Sequence, residues 1–437
     1  MTEPRTAFLE AATWHGSLED AEGILAAHPE LAGSDIHTAA VLGDDAAVRR
    51  FLLQDPRNAT ATSAPYGADA LTYLCLSKYL RLDKSRGDGF LRAATALLDA
   101  GTDPNTGFWT TGQHPERETA LYGAAGVAHD AALTRLLLAR GADPNDGEAV
   151  YHSPETRDSA AMQLLVETGK VTADSLCLML VRKHDWHDYE GAKWLLEHGA
   201  NPNADRSRGW SPIHHALARD NALRMIALLL DHGADPMGEQ KGLTAIARAA
   251  REGRSDVLEL FEQRGIPIEL DGVDRVIAAC ARGDGAAARA IAGRDPRLAQ
   301  ELRAMGGELL AKFAGTNNPP GVAALLDLGV DVDAPFTDGD GYFGEPPGSL
   351  AIHVAAWRCS TATVNLLLSR GSPVDVPDAL GRTPLALAVK ACVDSFWTEY
   401  CSPELVQALL DAGASVAGIP FPCGHKAIDP LLTQRRV

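Results

Sequence analysis

One short signal recurs along this chain and limits what it can become. Two or three leucines precede a charged turn, then a glycine, then a polar cluster ending in Asp-Pro-Asn or a variant of it. It reads LLDAGTDPN at 97–105, LLLARGADPN at 136–145 and LLEHGANPN at 195–203. Further copies stand at 260–268, 325–333, 366–375 and 409–416, and a weaker one ends at Gly169. A leucine stripe closed by glycine marks the end of an amphipathic helix with a left-handed cap. Residues 209–236 show the whole pattern. Ser211 caps a first helix and Pro212 takes its first position, where the missing N–H does no harm. Ile213, Ala216 and Leu217 recur at helical spacing, and Ile226, Leu228, Leu229 and Leu230 give a second helix its apolar face. Two helices this short cannot bury that face alone, so the chain has to stack many copies.

The steps from Gly199 to Gly233 to Gly265 are about 34 and 32 residues. With Thr383-Pro384-Leu385 and Ser211-Pro212-Ile213-His214 at helix starts, the chain resembles the ankyrin-repeat proteins over nearly its whole length. The resemblance implies an all-α solenoid with short β-hairpin fingers, built from about twelve helix-turn-helix repeats. It also implies partner binding by the concave face, while leaving the partner open, because the scaffold serves many. His214, His353 and, through its neighbours, Tyr122 fall at the repeat's histidine position, where the side chain bonds the adjoining hairpin.

Three regions are expected. Residues 1–61 are degenerate N-terminal repeats that end in His28-Pro29 and Asp55-Pro56 and form a cap, with Trp14 and His15 packed beneath it. Residues 62–272 are central repeats, irregular at the fifth and sixth. Residues 273–437 are C-terminal repeats and a capping tail, and they open with another proline-ended copy at Asp295-Pro296. The formal charge of -18 argues against nucleic acid, which demands a basic surface; it suits solubility first and a basic partner second. Of seven cysteines none forms a Cys-x-x-Cys pair, and Cys75, Cys177, Cys280 and Cys392 lie in apolar runs. They read as buried thiols in a reducing compartment. With no signal segment and no apolar run of about 18 residues, the expectation is a cytoplasmic protein that does not meet a membrane.

Function is sought where the period breaks. Long fingers stand at 107–118 and 337–348, while the fifth and sixth repeats have almost none. Trp109, His114, Arg117 and Glu118 on the fourth finger, facing Tyr151 and His152 across that gap, make a candidate notch for a peptide or small ligand. Tyr342 and Phe343 on the later finger, with Trp186 and Trp210, are further aromatic anchors. Ser153-Pro154 should cut the first helix of the fifth repeat short. The leading reading is a non-catalytic scaffold that binds a protein or peptide. The alternative is a small-ligand protein or enzyme at Tyr151–Glu155 and Lys183–Tyr189. There His152, Ser153, Glu155, His184, Asp185 and His187 supply acid, base and nucleophile types. By register those two segments fall at opposite ends of a helix layer, roughly 15 Å apart for a ten-residue helix, unless the shortened first helix of the fifth repeat brings them together. No motif requires a cofactor or a metal ion; His184 and His187 alone are too few for zinc.

Overall fold

The computed structural model describes residues 3–203 and 211–435. Contacts divide the chain into two compact units, Met1–Pro212 and Ile213–Val437.

In the first unit the helices come in pairs. α1 (Pro4–Ala12) and α2 (Leu18–Ala27) precede α3 (Ile36–Leu42) and α4 (Asp45–Gln54). α5 (Ala70–Cys75) is followed by an inserted α6 (Lys78–Leu82) and then by its partner α7 (Gly87–Asp99). α8 (Ala120–Tyr122) continues as a π-turn over Gly123–Val127 and pairs with α9 (Ala131–Ala139). α10 (Gly147–His152) pairs with α11 (Ala160–Glu167), and α12 (Ala173–Asp185) with α13 (Tyr189–Glu197). The first helices α3, α5, α8, α10 and α12 pack side by side in that order, and α4, α7, α9 and α11 form the layer behind. α8 sits very close to its neighbours: a Cβ at Gly123 would lie 2.7 Å from the Cys75 carbonyl carbon, and one at Gly126 would lie 2.8 Å from His152 Cβ.

The stop signal owes its spelling to a ladder between repeats. Gly141 adopts φ 100, a conformation open to glycine at little cost. The Asn105 side chain accepts the Asp143 N–H at 2.8 Å and donates to Gly141 O at 3.2 Å. Asn145 repeats this one layer on, to Thr172 N–H at 2.8 Å and Lys170 O at 3.0 Å. The Asp-Pro-Asn cluster therefore satisfies backbone groups of the next repeat that would otherwise lack partners. Two fingers are paired strands: β1 (Thr62–Ser63) with β2 (Ala68–Asp69), and β3 (Gly107–Trp109) with β4 (Arg117–Thr119). After Gly141 the chain turns directly into α10 without a finger.

The α1–α2 hairpin departs from this stacking. Trp14, at its reversal, donates its backbone N–H to Leu76 O at 2.8 Å. Its ring lies edge-on to Tyr66 and Phe108, with centroids at 6.0 and 5.7 Å, and its indole N–H reaches the Tyr122 hydroxyl at 3.3 Å. At the other end of α1, Arg5 pairs with Asp35, the cap of α3. A stacked first repeat would touch only its neighbour. This hairpin instead runs across the first-helix face, from α3 past α5 to α8. Phe8 and Leu9 are fully buried beneath it, each contributing about 1.5–3 kcal/mol.

The second unit begins with α14 (Pro212–Ala218), α15 (Leu223–Asp231), α16 (Ala245–Arg251) and α17 (Ser255–Gln263). It continues with α18 (Gly272–Ala281), α19 (Gly285–Arg294), α20 (Pro296–Ala304), α21 (Gly306–Gly315) and α22 (Pro319–Asp327). α23 (Ala351–Trp357), α24 (Thr361–Ser369), α25 (Pro384–Val393), α26 (Pro403–Asp411) and α27 (Ile428–Gln434) complete it, with one finger of paired strands, β5 (Glu239–Gln240) and β6 (Leu243–Thr244). His214 and His353 bond Leu243 O at 2.9 Å and Val376 O at 2.8 Å, as their position implies. The proline-ended copy breaks the stack. α21 reaches past α18 to α16, with Thr316 donating to Glu252 O at 3.0 Å and Asn318 to Gly253 O at 2.8 Å. A disulfide joins Cys359 to Cys401, a pairing the spacing of the cysteines did not suggest; Cys75, Cys177, Cys280 and Cys392 are buried free thiols.

Candidate functional site

The irregular repeats of the first unit gather most of the candidate residues, and local sequence explains how. Asp146 caps α10 by accepting the Ala149 N–H at 2.8 Å, and Thr119 donates to the same carboxylate at 2.8 Å. Ser153-Pro154 ends the helix after His152. Tyr151 and His152 are the last two residues of that helix. α12 runs to Asp185, so Lys183, His184 and Asp185 are also helical and the reversal is only Trp186–Asp188.

The two candidate segments converge. Arg182 pairs with both Glu155 and Asp185, and its guanidinium lies 4.1 Å over the Tyr151 ring. Buried Lys183 donates to Thr156 O and to Asp188, each at 2.7 Å. The shortened α10 allows this, since the chain after Pro154 drops onto the end of α12. Desolvation lowers the Lys183 pKa.

His152 is clamped between two carboxylates. Its Nδ1 lies 2.9 Å from Glu155 and its Nε2 3.4 Å from Glu148. Burial disfavours the imidazolium, but the bonds to Glu148 and Glu155 outweigh it and raise the pKa to about 9. Glu118, 2 % exposed, has one carboxylate oxygen with no partner. Burial, then the nearby Glu148 charge, pushes its pKa up to about 7. Ser153 is buried and its hydroxyl makes no hydrogen bond. With both ring nitrogens of His152 facing carboxylates, no serine–histidine dyad is assembled.

Where a finger is missing, a cavity opens. It measures about 530 Å³ and is lined by Trp109 and Arg117 from the fourth finger, Asp143 from the stop signal, and Asp146 and Glu148 at the start of α10. Trp109 is 64 % exposed on its rim. Strand alternation puts Trp109 opposite Arg117 and Phe108 opposite Glu118. The first pair faces out and the second is turned inward. Glu118 is therefore buried under the finger instead of presented beside Arg117, and exposed His114 stands at the tip. Tyr122 sits where a histidine would bond the next finger. That finger is absent, and Tyr122 turns to Trp14. Sequence reasoning missed Glu148, Arg182 and this part of Trp14; the lack of a finger after Tyr122 was the available signal.

The other anchors behave differently. Trp186 is exposed at the α12–α13 reversal, away from the cavity lining. Trp210 lies outside the described residues. The later finger was expected to project, but it folds back over its own unit. Phe343 is buried beneath Arg358, whose guanidinium lies 3.4 Å from the ring, and Glu345 and Arg358 form a buried pair at 2.7 Å. Asp340 meets Lys312 at 3.0 Å, and Tyr342 lies under Arg219 at 4.0 Å. Three charged contacts and a buried ring hold this finger down, and of its two aromatic rings Tyr342 is the exposed one. Among the described residues no His, Cys, Asp and Glu group is arranged to hold a metal ion, and no helix is long and apolar enough to cross a membrane.

Paired helices in two layers, glycine stops and hairpin fingers define a helical-repeat protein whose irregular repeats carry its polar groups. Residues 178–271 match the family described as ankyrin repeats (3 copies). The chain is an ankyrin-repeat protein. Over 68 residues it is 44% identical to the BCL-6 corepressor-like protein 1 of Homo sapiens, covering 15% of this chain and 4% of that protein. Over 61 residues it is 48% identical to the Ankyrin repeat and LEM domain-containing protein 1 homolog of Caenorhabditis elegans, covering 14% and 8%. Over 183 residues it is 29% identical to the Mitochondrial disaggregase of Bos taurus, covering 37% and 26%. The matches thus span about a quarter or less of these curated relatives.

Proposed function

We propose that this chain is a non-catalytic scaffold that binds a protein partner in the cavity beside Trp109, taking a lysine or arginine side chain from an extended segment. The observation that carries the reading is the cavity itself. Three carboxylates, Asp143, Asp146 and Glu148, line it beside an exposed indole, with Arg117 the one cation among its lining residues. A cation of the partner would meet the carboxylates and the ring face together. The chain's formal charge of -18 draws basic segments in. Labelled peptides with a central lysine or arginine, and matched peptides with glutamate there, test it by fluorescence anisotropy. Basic peptides bind and glutamate peptides do not, and Trp109→Ala or Glu148→Gln weakens binding about tenfold, or about 1.4 kcal/mol. Equal affinity for both peptide sets would remove the reading.

A small-ligand or enzymatic site at Tyr151–Glu155 and Lys183–Tyr189 is favoured by one observation, the convergence of those segments through Arg182 and Lys183. A panel of small carboxylic acids and amines in thermal-shift assays tests it. A hit abolished by His152→Gln supports this reading, and no hit ends it.

A further inference from the structure

The α1–α2 hairpin occupies a surface that the stacked repeats leave open. Its reversal touches residues from two later repeats, Tyr66 and Leu76 of the third and Phe108 and Tyr122 of the fourth. A helix stacked as the first repeat cannot do so. The footprint is that of a bound peptide. Arg5 meets an acidic cap, Asp35, at one end. Phe8, Leu9 and Ala12 bury one stripe in the middle. Trp14 closes the other end by inserting among aromatic rings.

The hairpin is held on one side only. α2 buries a single residue, Ala21, and packs mainly on α1 and the Pro29–Gly33 turn. The internal second helices, α4, α7, α9 and α11, form a continuous layer. An element with one packed face opens at lower free energy than elements packed on both sides.

We propose that α1 and Trp14 are a built-in occupant of a helix-binding groove on α3, α5 and α8, displaced by a partner helix of the same pattern. That partner carries an arginine, an aromatic-aliphatic pair one turn later, and a tryptophan nine residues after the arginine. The inference rests on the partner-binding role proposed above but uses a different face. The cavity lies on the Trp109–Arg117 side of the fourth finger and this groove on the Phe108 side. Loss of basic-peptide binding would therefore leave it standing.

The groove is open for only a fraction of the time, and apparent affinity falls by that fraction. Loosening the resident helix should raise it. The probe is a fluorescein-labelled peptide of residues 3–17, added to the full chain. Trp14→Ala with Arg5→Ala should bind it at least about tenfold more tightly than wild type, and a further Tyr66→Ala should reverse the gain. Hydrogen exchange on the wild-type chain guards against a variant that fails to fold: amides of α1 and α2 should exchange faster than those of α3, α5 and α8. Equal protection throughout, or no peptide binding by a folded double variant, would show the hairpin to be a fixed part of the fold and overturn the proposal.

Discussion

Glu118 shows how far a three-residue strand can mislead at the scale of single side chains. Sequence put it beside Arg117 as a presented group, but β4 is too short for alternation to reveal which face is buried. The structure turns it inward, and its pKa rises from 4.5 to about 7 because burial penalises the anion. An acid raised on folding gives stability that is present below pH 4.5 and lost as pH climbs to about 7. Glu118→Gln should therefore be more stable than wild type at pH 8 and similar at pH 4, measured by thermal unfolding. His152 follows the same direction in a higher window. Its pKa is raised from 6.5 to about 9, so its contribution is full below 6.5 and fades towards 9. Stability of His152→Gln should fall less than that of wild type between pH 7 and 9. Phe343 repeats the lesson of Glu118: an aromatic in a glycine-rich loop reads as exposed, yet it is pinned under Arg358. Because Arg358 and Glu345 are both buried, Arg358→Ala strands a charge and should cost about 3–5 kcal/mol in chemical denaturation. Adding Glu345→Gln should recover part of it.

At the scale of elements, propensity and capping were legible, but where a helix overruns was not. Proline at 154 forecast the short α10, because a ring in the next turn removes a donor and clashes with a carbonyl. Nothing local told that α12 would continue through Lys183 and His184. Those positions are helical because Lys183 finds Asp188 and Thr156 O in the interior, a tertiary reward. The start of α13 depends on the same pair. A Cβ at Gly191 would stand 2.5 Å from an Asp188 carboxylate oxygen and 2.6 Å from Lys183 Cε. Gly191→Ala should therefore cost about 1–3 kcal/mol by urea denaturation, although alanine is the better helix former. The 78–86 segment is an insertion between the paired helices α5 and α7. It contains α6 and a 3₁₀ turn at Lys84–Arg86.

For the whole molecule, the repeats could be read because each stop signal is a local device, bonded one layer ahead. The crossing of α1 over α3, α5 and α8 could not, since it is specified by contacts such as Trp14 with Tyr122, more than a hundred positions apart. Charge also acts at this scale. A chain at -18 repels itself, so its thermal midpoint should rise as salt increases from about 10 to 200 mM and screening shortens that repulsion; an unchanged midpoint would show the acidic groups to be already neutralised in pairs. The absent finger after Gly141 has a consequence of its own. The turn between Gly141 and α10 lies beyond the two helix layers, so a finger could be gained there without disturbing what holds the layers together. Grafting an ordinary hairpin between Gly141 and Gly147 would fill the vacancy from within, and the basic-peptide binding proposed for it would be lost through an addition rather than a deletion.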